Sequence, residues 1–158
     1  MRNKLIIGML VGGAMMLMSS TCSSDDDSSS NNSNVNVQEL INISTDGTWR
    51  VTSFVEEGND ETNHFNNFTF TFNADGTITA VNDPQIITGM WSISNDSSSD
   101  DDSSSDEDFV IFFNVDASSN FEDLNDDWDI VTYSNTRIEL IDISGGNGGT
   151  DTLVFEKN

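Results

Sequence analysis

The side chains most often used for acid–base, nucleophilic or metal chemistry near neutral pH are scarce: the chain holds one histidine and one cysteine. His64 stands in the polar stretch from Glu56 to Asn67, where an imidazole reads as a surface residue rather than a general base. Cys22 directly follows an apolar run and has no second thiol with which to form a disulfide. One of each excludes a His/Cys metal set within a single chain. Carboxylates are abundant instead, 28 Asp and Glu against 5 Lys and Arg, for a net charge of −23. In such a chain some carboxylate pair always falls at catalytic spacing. Asp126, Asp127 and Asp129 around Trp128 therefore read as a solvated strand end. The run from Gly145 to Gly149 lacks the lysine and the following helix of a phosphate cradle. No catalytic residue, metal site or cofactor is expected, and the chain reads as a non-enzyme. Its charge repels phosphate backbones, which excludes nucleic acid as a partner.

The residues that flank Cys22 explain why a lone thiol stands there. Arg2 and Lys4 precede an apolar run, Leu5–Met18, whose helical length of about 21 Å falls short of a ~30 Å hydrocarbon core. Small residues, Ser19 to Thr21, follow. Residues 1–21 thus read as an export signal. The segment resembles a bacterial lipoprotein signal, in which the cysteine is acylated and becomes the first mature residue. Ser19 and Thr21 stand where that family usually has Leu and Gly or Ala. Ser23-Ser-Asp-Asp-Asp27 resembles the acidic export tag of surface-displayed lipoproteins of Bacteroidetes. The resemblance implies palmitate-type acylation of Cys22, attachment to the membrane through that N-terminal lipid, and an outer-membrane location with display at the cell surface. Without Arg2 and Lys4 the mature chain keeps 3 basic residues against 28 acidic ones, net −25.

Residues 22–37 are nearly all Ser, Asp and Asn and have nothing to bury, so they read as a disordered tether with an end-to-end distance of roughly 20 Å. A second run of the same composition, 95–107, interrupts the folded part. Its oxygen-rich side chains could hold Ca²⁺ weakly, but the register and glycine of a dedicated calcium loop are missing, so it reads as a solvated insert. The remainder, 38–158, suits one domain.

Within that domain the apolar clusters are short and rich in Val, Ile, Thr and Phe, which predicts strands. Eight are expected: 48–56, 66–73, 77–81, 87–95, 108–115, 127–133, 137–143 and 151–156, with helical turns at 37–43 and 119–125. Period-two alternation places Trp49, Val51, Ser53 and Val55 on one face of the first strand and Arg50, Thr52, Phe54 and Glu56 on the other. The clearest hairpin is Phe72-Asn-Ala-Asp-Gly-Thr77, where Gly76 reverses the chain. All fourteen aromatic residues lie between Trp49 and Phe155. The order of hairpins predicts an all-β, eight-stranded antiparallel up-and-down barrel with short helical turns.

Gly47-Thr48-Trp49, after a short helical lead-in, resembles the Gly-x-Trp start of lipocalins. The later order of motifs (Asp75-Gly76-Thr77, Gly89-Met90-Trp91, the strand led by Trp128, and Leu153–Lys157) resembles lipocalin-like domains of Bacteroidetes lipoproteins. The resemblance implies a barrel that can enclose a small apolar ligand. Trp49, Val51, Phe68, Phe70, Phe72, Trp91, Ile111, Phe113, Trp128, Ile130 and Phe155 then either line such a pocket or pack on one another as a core. Two functions stay open: carriage of a small apolar ligand, or an accessory protein-interaction or glycan-binding module of an envelope complex.

Overall fold

The structure, a computed structural model, describes residues 35–95, 107–143 and 149–158. The expected export signal with Cys22, nearly all of the expected tether, most of the acidic insert and most of the glycine run lie outside these residues.

The strands are β1 (Trp49–Glu56), β2 (Asn59–Asp60), β3 (Thr69–Phe72), β4 (Thr77–Asn82), β5 (Gln85–Asn95), β6 (Glu107–Phe113), β7 (Asp126–Ser134), β8 (Arg137–Ile143) and β9 (Thr150–Lys157). Eight of them form a closed antiparallel ring in the order β1-β3-β4-β5-β6-β7-β8-β9, with β9 returning to β1. This is the up-and-down barrel expected from the sequence. The ninth strand, β2, is a two-residue ribbon that pairs only with the end of β1.

Closure is uneven. β9 pairs with β1 from Trp49↔Lys157 to Val55↔Thr152. On its other side β1 meets β3 at the single pair Trp49↔Phe70. The ladder β1–β9 shifts register between Val51 and Ser53. One extra residue in β1 turns every following side chain to the opposite face. Phe54 therefore points inward and is fully buried, whereas Ser53 and Val55 are only half-buried. The expected alternation of β1 holds for Trp49 and Val51 and is wrong beyond them. A second shift in β7, between Ile130 and Thr132, leaves Ile130 partly buried and Val131 exposed.

The β3–β4 hairpin is built as its residues require. The Asp75 carboxylate accepts from the Thr77 backbone N–H (3.0 Å) and from its hydroxyl (2.7 Å), and Gly76 takes φ +84°. Gly89 serves a different purpose. A Cβ there would strike the Phe112 carbonyl oxygen and lie 2.7 Å from the Phe113 ring. Without a side chain β5 can run close beneath that ring.

Among the described residues one helix, α1 (Val37–Thr45), precedes β1, with the Asn36 side chain accepting from the Glu39 N–H at its start. Asn36 and Val37 thus belong to the folded part and not to the tether, as the boundary at 38 placed them. The helix buries Leu40 and Ile43 in the core and lies where the chain enters β1. At the opposite end of the barrel are the loops after β1 and β6. Each carries a 3-10 turn, Thr62–Phe65 and Glu122–Leu124. Asn95 and Glu107, placed in the insert by sequence, pair with each other and extend the β5–β6 ladder.

Candidate functional site

Ten of the eleven candidate interior residues are buried, and Ile130 is partly so. They meet as rings on rings. Phe72 lies 5.2 Å from Trp91, 5.5 Å from Phe109 and 5.3 Å from Phe155, each edge to face. Phe155 contacts Phe70 in the same manner at 5.4 Å, and Trp91 stacks on Phe109 at 5.6 Å. Edge-to-face pairs at these separations contribute roughly 0.5–1.5 kcal/mol each beyond their burial.

The three tryptophans do more than fill space. Each indole N–H donates to a backbone carbonyl in a connecting segment: Trp49 to Ser44 in the helix (2.9 Å), Trp91 to Asn73 in the hairpin (3.0 Å), and Trp128 to Leu124 in the 3-10 turn (3.2 Å). A buried N–H without a partner is costly, so these bonds fix the segments onto the ring.

The far end of the barrel is closed by residues that the alternation did not reveal. Phe121, from the loop after β6, lies 5.0 Å from both Phe68 and Phe113, 5.5 Å from Phe65 and 6.1 Å from Phe70. Phe65 in turn meets Phe54 at 5.4 Å, and Phe54 meets Trp128 at 6.4 Å. The stretch Glu56–Asn67, expected to be an exposed polar loop, thus places Phe65 in the core. Single apolar residues in polar loops show no period, so their burial leaves no pattern. Only the cost of exposing a lone Phe in a long polar connection hints at it.

The clefts whose linings are described lie at the rim or on the outside. One of about 800 Å³ runs between the outer side of β6 and Glu122–Asp127. One of about 540 Å³ lies beside Gln85 and Asn114–Ser119, and one of about 320 Å³ lies between Val35 and Tyr133. Of the candidate interior residues only Ile111 and Ile130 border these clefts.

Titratable groups gather at the same end as Phe121. His64 is half-buried in its 3-10 turn, with Nε2 3.3 Å from Glu61. Burial, then the neighbouring Glu122, raises the Asp123 carboxyl, partly opposed by His64. Burial raises Glu56 as well, with Asp123 and Asp151 adding repulsion. The largest shift belongs to Asp126, which rises to about 6 through burial, a hydrogen bond with the Asp127 side chain, and the charge of Asp142. Asp126 is therefore not merely a solvated strand end. Among the described residues no group of three or more His, Cys, Asp or Glu is arranged to hold a metal ion.

The folded part's cations, Arg50, Arg137 and Lys157, stand on β1, β8 and β9. Glu156 pairs with both arginines (3.3 and 3.1 Å), Glu139 with Arg137 (2.9 Å) and Asp46 with Lys157 (2.6 Å), whose Nζ sits 5.6 Å from the centre of the Trp49 ring. Exposed pairs of this kind add only about 0–1 kcal/mol each.

The chain is similar to a solved DUF4847 family protein from Bacteroides vulgatus. Identity is 20%, the alignment covers 75% of this chain and 97% of the other, and the TM-score is 0.48. No protein-family model matches the chain, and no curated protein does. Among the described residues no helix is long and apolar enough to cross a membrane.

Proposed function

We propose that this chain is a non-catalytic envelope lipoprotein, anchored by acylated Cys22 and displayed outward, whose barrel is a packed support for interaction through its outer surface. The observation that carries this reading is the closed contact of the interior rings, with Phe65, Phe68 and Phe121 drawn over the end opposite the helix. A carrier of this size needs an enclosed space of some hundreds of Å³ lined by such side chains. Here those side chains occupy one another.

Two measurements test the proposal. Titration with a fluorescent fatty-acid analogue should give no saturable binding. Native mass spectrometry of the chain from its source membrane should show the acyl adduct on Cys22 and no second bound molecule. A stoichiometric interior ligand would restore the carrier reading. A protein that lacks acyl chains and stays soluble would remove the anchor.

A further inference from the structure

Between Arg50 and Arg137 the sequence contains no Lys or Arg, so β5, β6, β7 and the connection from β6 to β7 carry no permanent cation. The cations of the folded part are engaged elsewhere, Arg50 and Arg137 with Glu156 and Lys157 with Asp46. Within this stretch lies the cleft of about 800 Å³ on the outer side of β6. Alternation turns Phe109, Ile111 and Phe113 into the core and leaves Asp108, Val110 and Phe112 outside. Val110 and Phe112 give the cleft an apolar floor, framed by Asp108, Glu122, Asp126 and Asp127. Phe112 is 45% exposed, and exposed Met90, directly opposite it on β5, continues the apolar surface. Apolar surface rimmed by polar groups is the pattern of an interaction site.

We propose that this cleft binds a basic segment of another protein in extended form, with lysine or arginine side chains reaching the carboxylates and an apolar side chain seated on Val110 and Phe112. The occupant follows from both parts of the lining. Nucleic acid and anionic membrane surfaces are repelled. A second copy of the chain brings a further net charge of −23. A bare metal ion leaves the Phe112 ring in water, and among the described residues no acidic group is arranged to hold one. A basic segment with apolar side chains meets both demands. From Asp108 to Phe112, four steps of ~3.4 Å make a floor of about 14 Å, enough for about four residues of extended chain.

Asp126 gives such binding a signature. Its carboxyl is raised to about 6 by burial, by its hydrogen bond with the Asp127 side chain and by the charge of Asp142. The titratable groups that face it are Asp127 on its own strand, Asp142 on β8, and Asp108 and Glu122, which line the same cleft. A bound lysine or arginine favours the ionised carboxylate and draws the carboxyl back down. Binding and loss of this proton are therefore linked. A group at about 6 is roughly nine-tenths protonated at pH 5 and almost wholly ionised at pH 7.5, so affinity should rise about tenfold between them. Register adds to the excess of charge beside the cleft, since Asp108 stands directly opposite Asp129. Like charges so placed weaken a strand pair, and a cationic partner relieves them. The inference rests on the reading of the outer surface as the interacting one. It fails separately, because a ligand inside the barrel or a Cys22 without lipid would leave the cleft unchanged.

Isothermal titration calorimetry of the full chain carrying Cys22→Ser, with an acetylated and amidated pentapeptide of alternating lysine and leucine, tests it. One site with a dissociation constant on the order of 50 μM is expected at pH 7.5 in 50 mM NaCl. It should weaken about tenfold at pH 5, and markedly in 500 mM NaCl. At pH 6 binding should release about half a proton, read from the dependence of the heat on the buffer's ionisation enthalpy. Phe112→Ala and Asp126→Asn should each weaken binding at least fivefold with unchanged near-UV circular dichroism, and Asp126→Asn should also remove most of the pH dependence. Ile86→Ala, exposed on β5 outside the cleft, should change nothing. No saturable heat up to about 1 mM peptide overturns the proposal. So does equal affinity for a peptide of alternating lysine and serine, which would reduce the site to charge alone, or indifference to both Phe112→Ala and Asp126→Asn.

Discussion

Replacing Phe121 by alanine separates a sealed barrel from one with an open mouth. Phe121 is 4% exposed and touches four other rings, yet it sits in a loop outside the ring of strands. Burial of its side chain contributes about 4 kcal/mol at 25 cal/mol per Å² over roughly 170 Å². Truncation of a buried Phe costs about 3–5 kcal/mol where the surroundings cannot collapse. A loop can move inward further than a strand can, so a loss of about 3 kcal/mol is expected. Urea unfolding followed by tryptophan fluorescence reads this directly, since Trp49, Trp91 and Trp128 all lie in the core. With a slope of about 1.5 kcal/mol/M the midpoint should fall by about 2 M. The variant should also take up a small aromatic probe such as indole that the parent excludes, because an apolar cavity stays dry and available. Phe112→Ala, on the exposed side of β6, is the control and should cost under about 1 kcal/mol. A loss from Phe121→Ala no larger than the control's, with the native spectrum retained, would refute the reasoning that this residue seals the end.

The register shift in β1 makes its own forecast: Phe54→Ala should cost about 3–5 kcal/mol and Val55→Ala under about 1.5 in the same unfolding assay, an order that uninterrupted alternation reverses. Asp126 governs a pH effect. Its folded value of about 6 lies above the ordinary 3.8, so the folded state holds the proton more tightly and stability declines as pH rises from about 4 through 6. Asp126→Asn should therefore unfold at higher denaturant than the parent at pH 7.5, by about 1 kcal/mol after screening of a half-exposed group, and the gap should close below pH 4. A constant gap across that range would show that the titration is not the cause.

What was legible in the sequence was periodic or local. The Asp75-Gly76 turn, the Phe70/Phe72 alternation and the succession of hairpins were enough to anticipate a closed meander of eight ring strands. The errors share one physical origin. A bulge inserts a residue without altering composition, so Phe54 and Val55 exchange faces invisibly. Phe65 and Phe121 are single apolar residues in polar connections, where no repeat reports on burial.

The seam between β1 and β9 has a consequence for how the chain is made. Arg50 and its partner Glu156 are 106 positions apart, so the ring cannot close until residues 150–157 have been synthesised and delivered. Until then β1 and β8 each present an unpaired edge, the kind of template on which partly made chains join one another. Long-range closure of this type belongs to the slow class, milliseconds to seconds. During that interval the excess of acidic residues keeps unfinished chains apart. On this view the excess of acidic residues is also a safeguard for the chain on its way to the finished barrel.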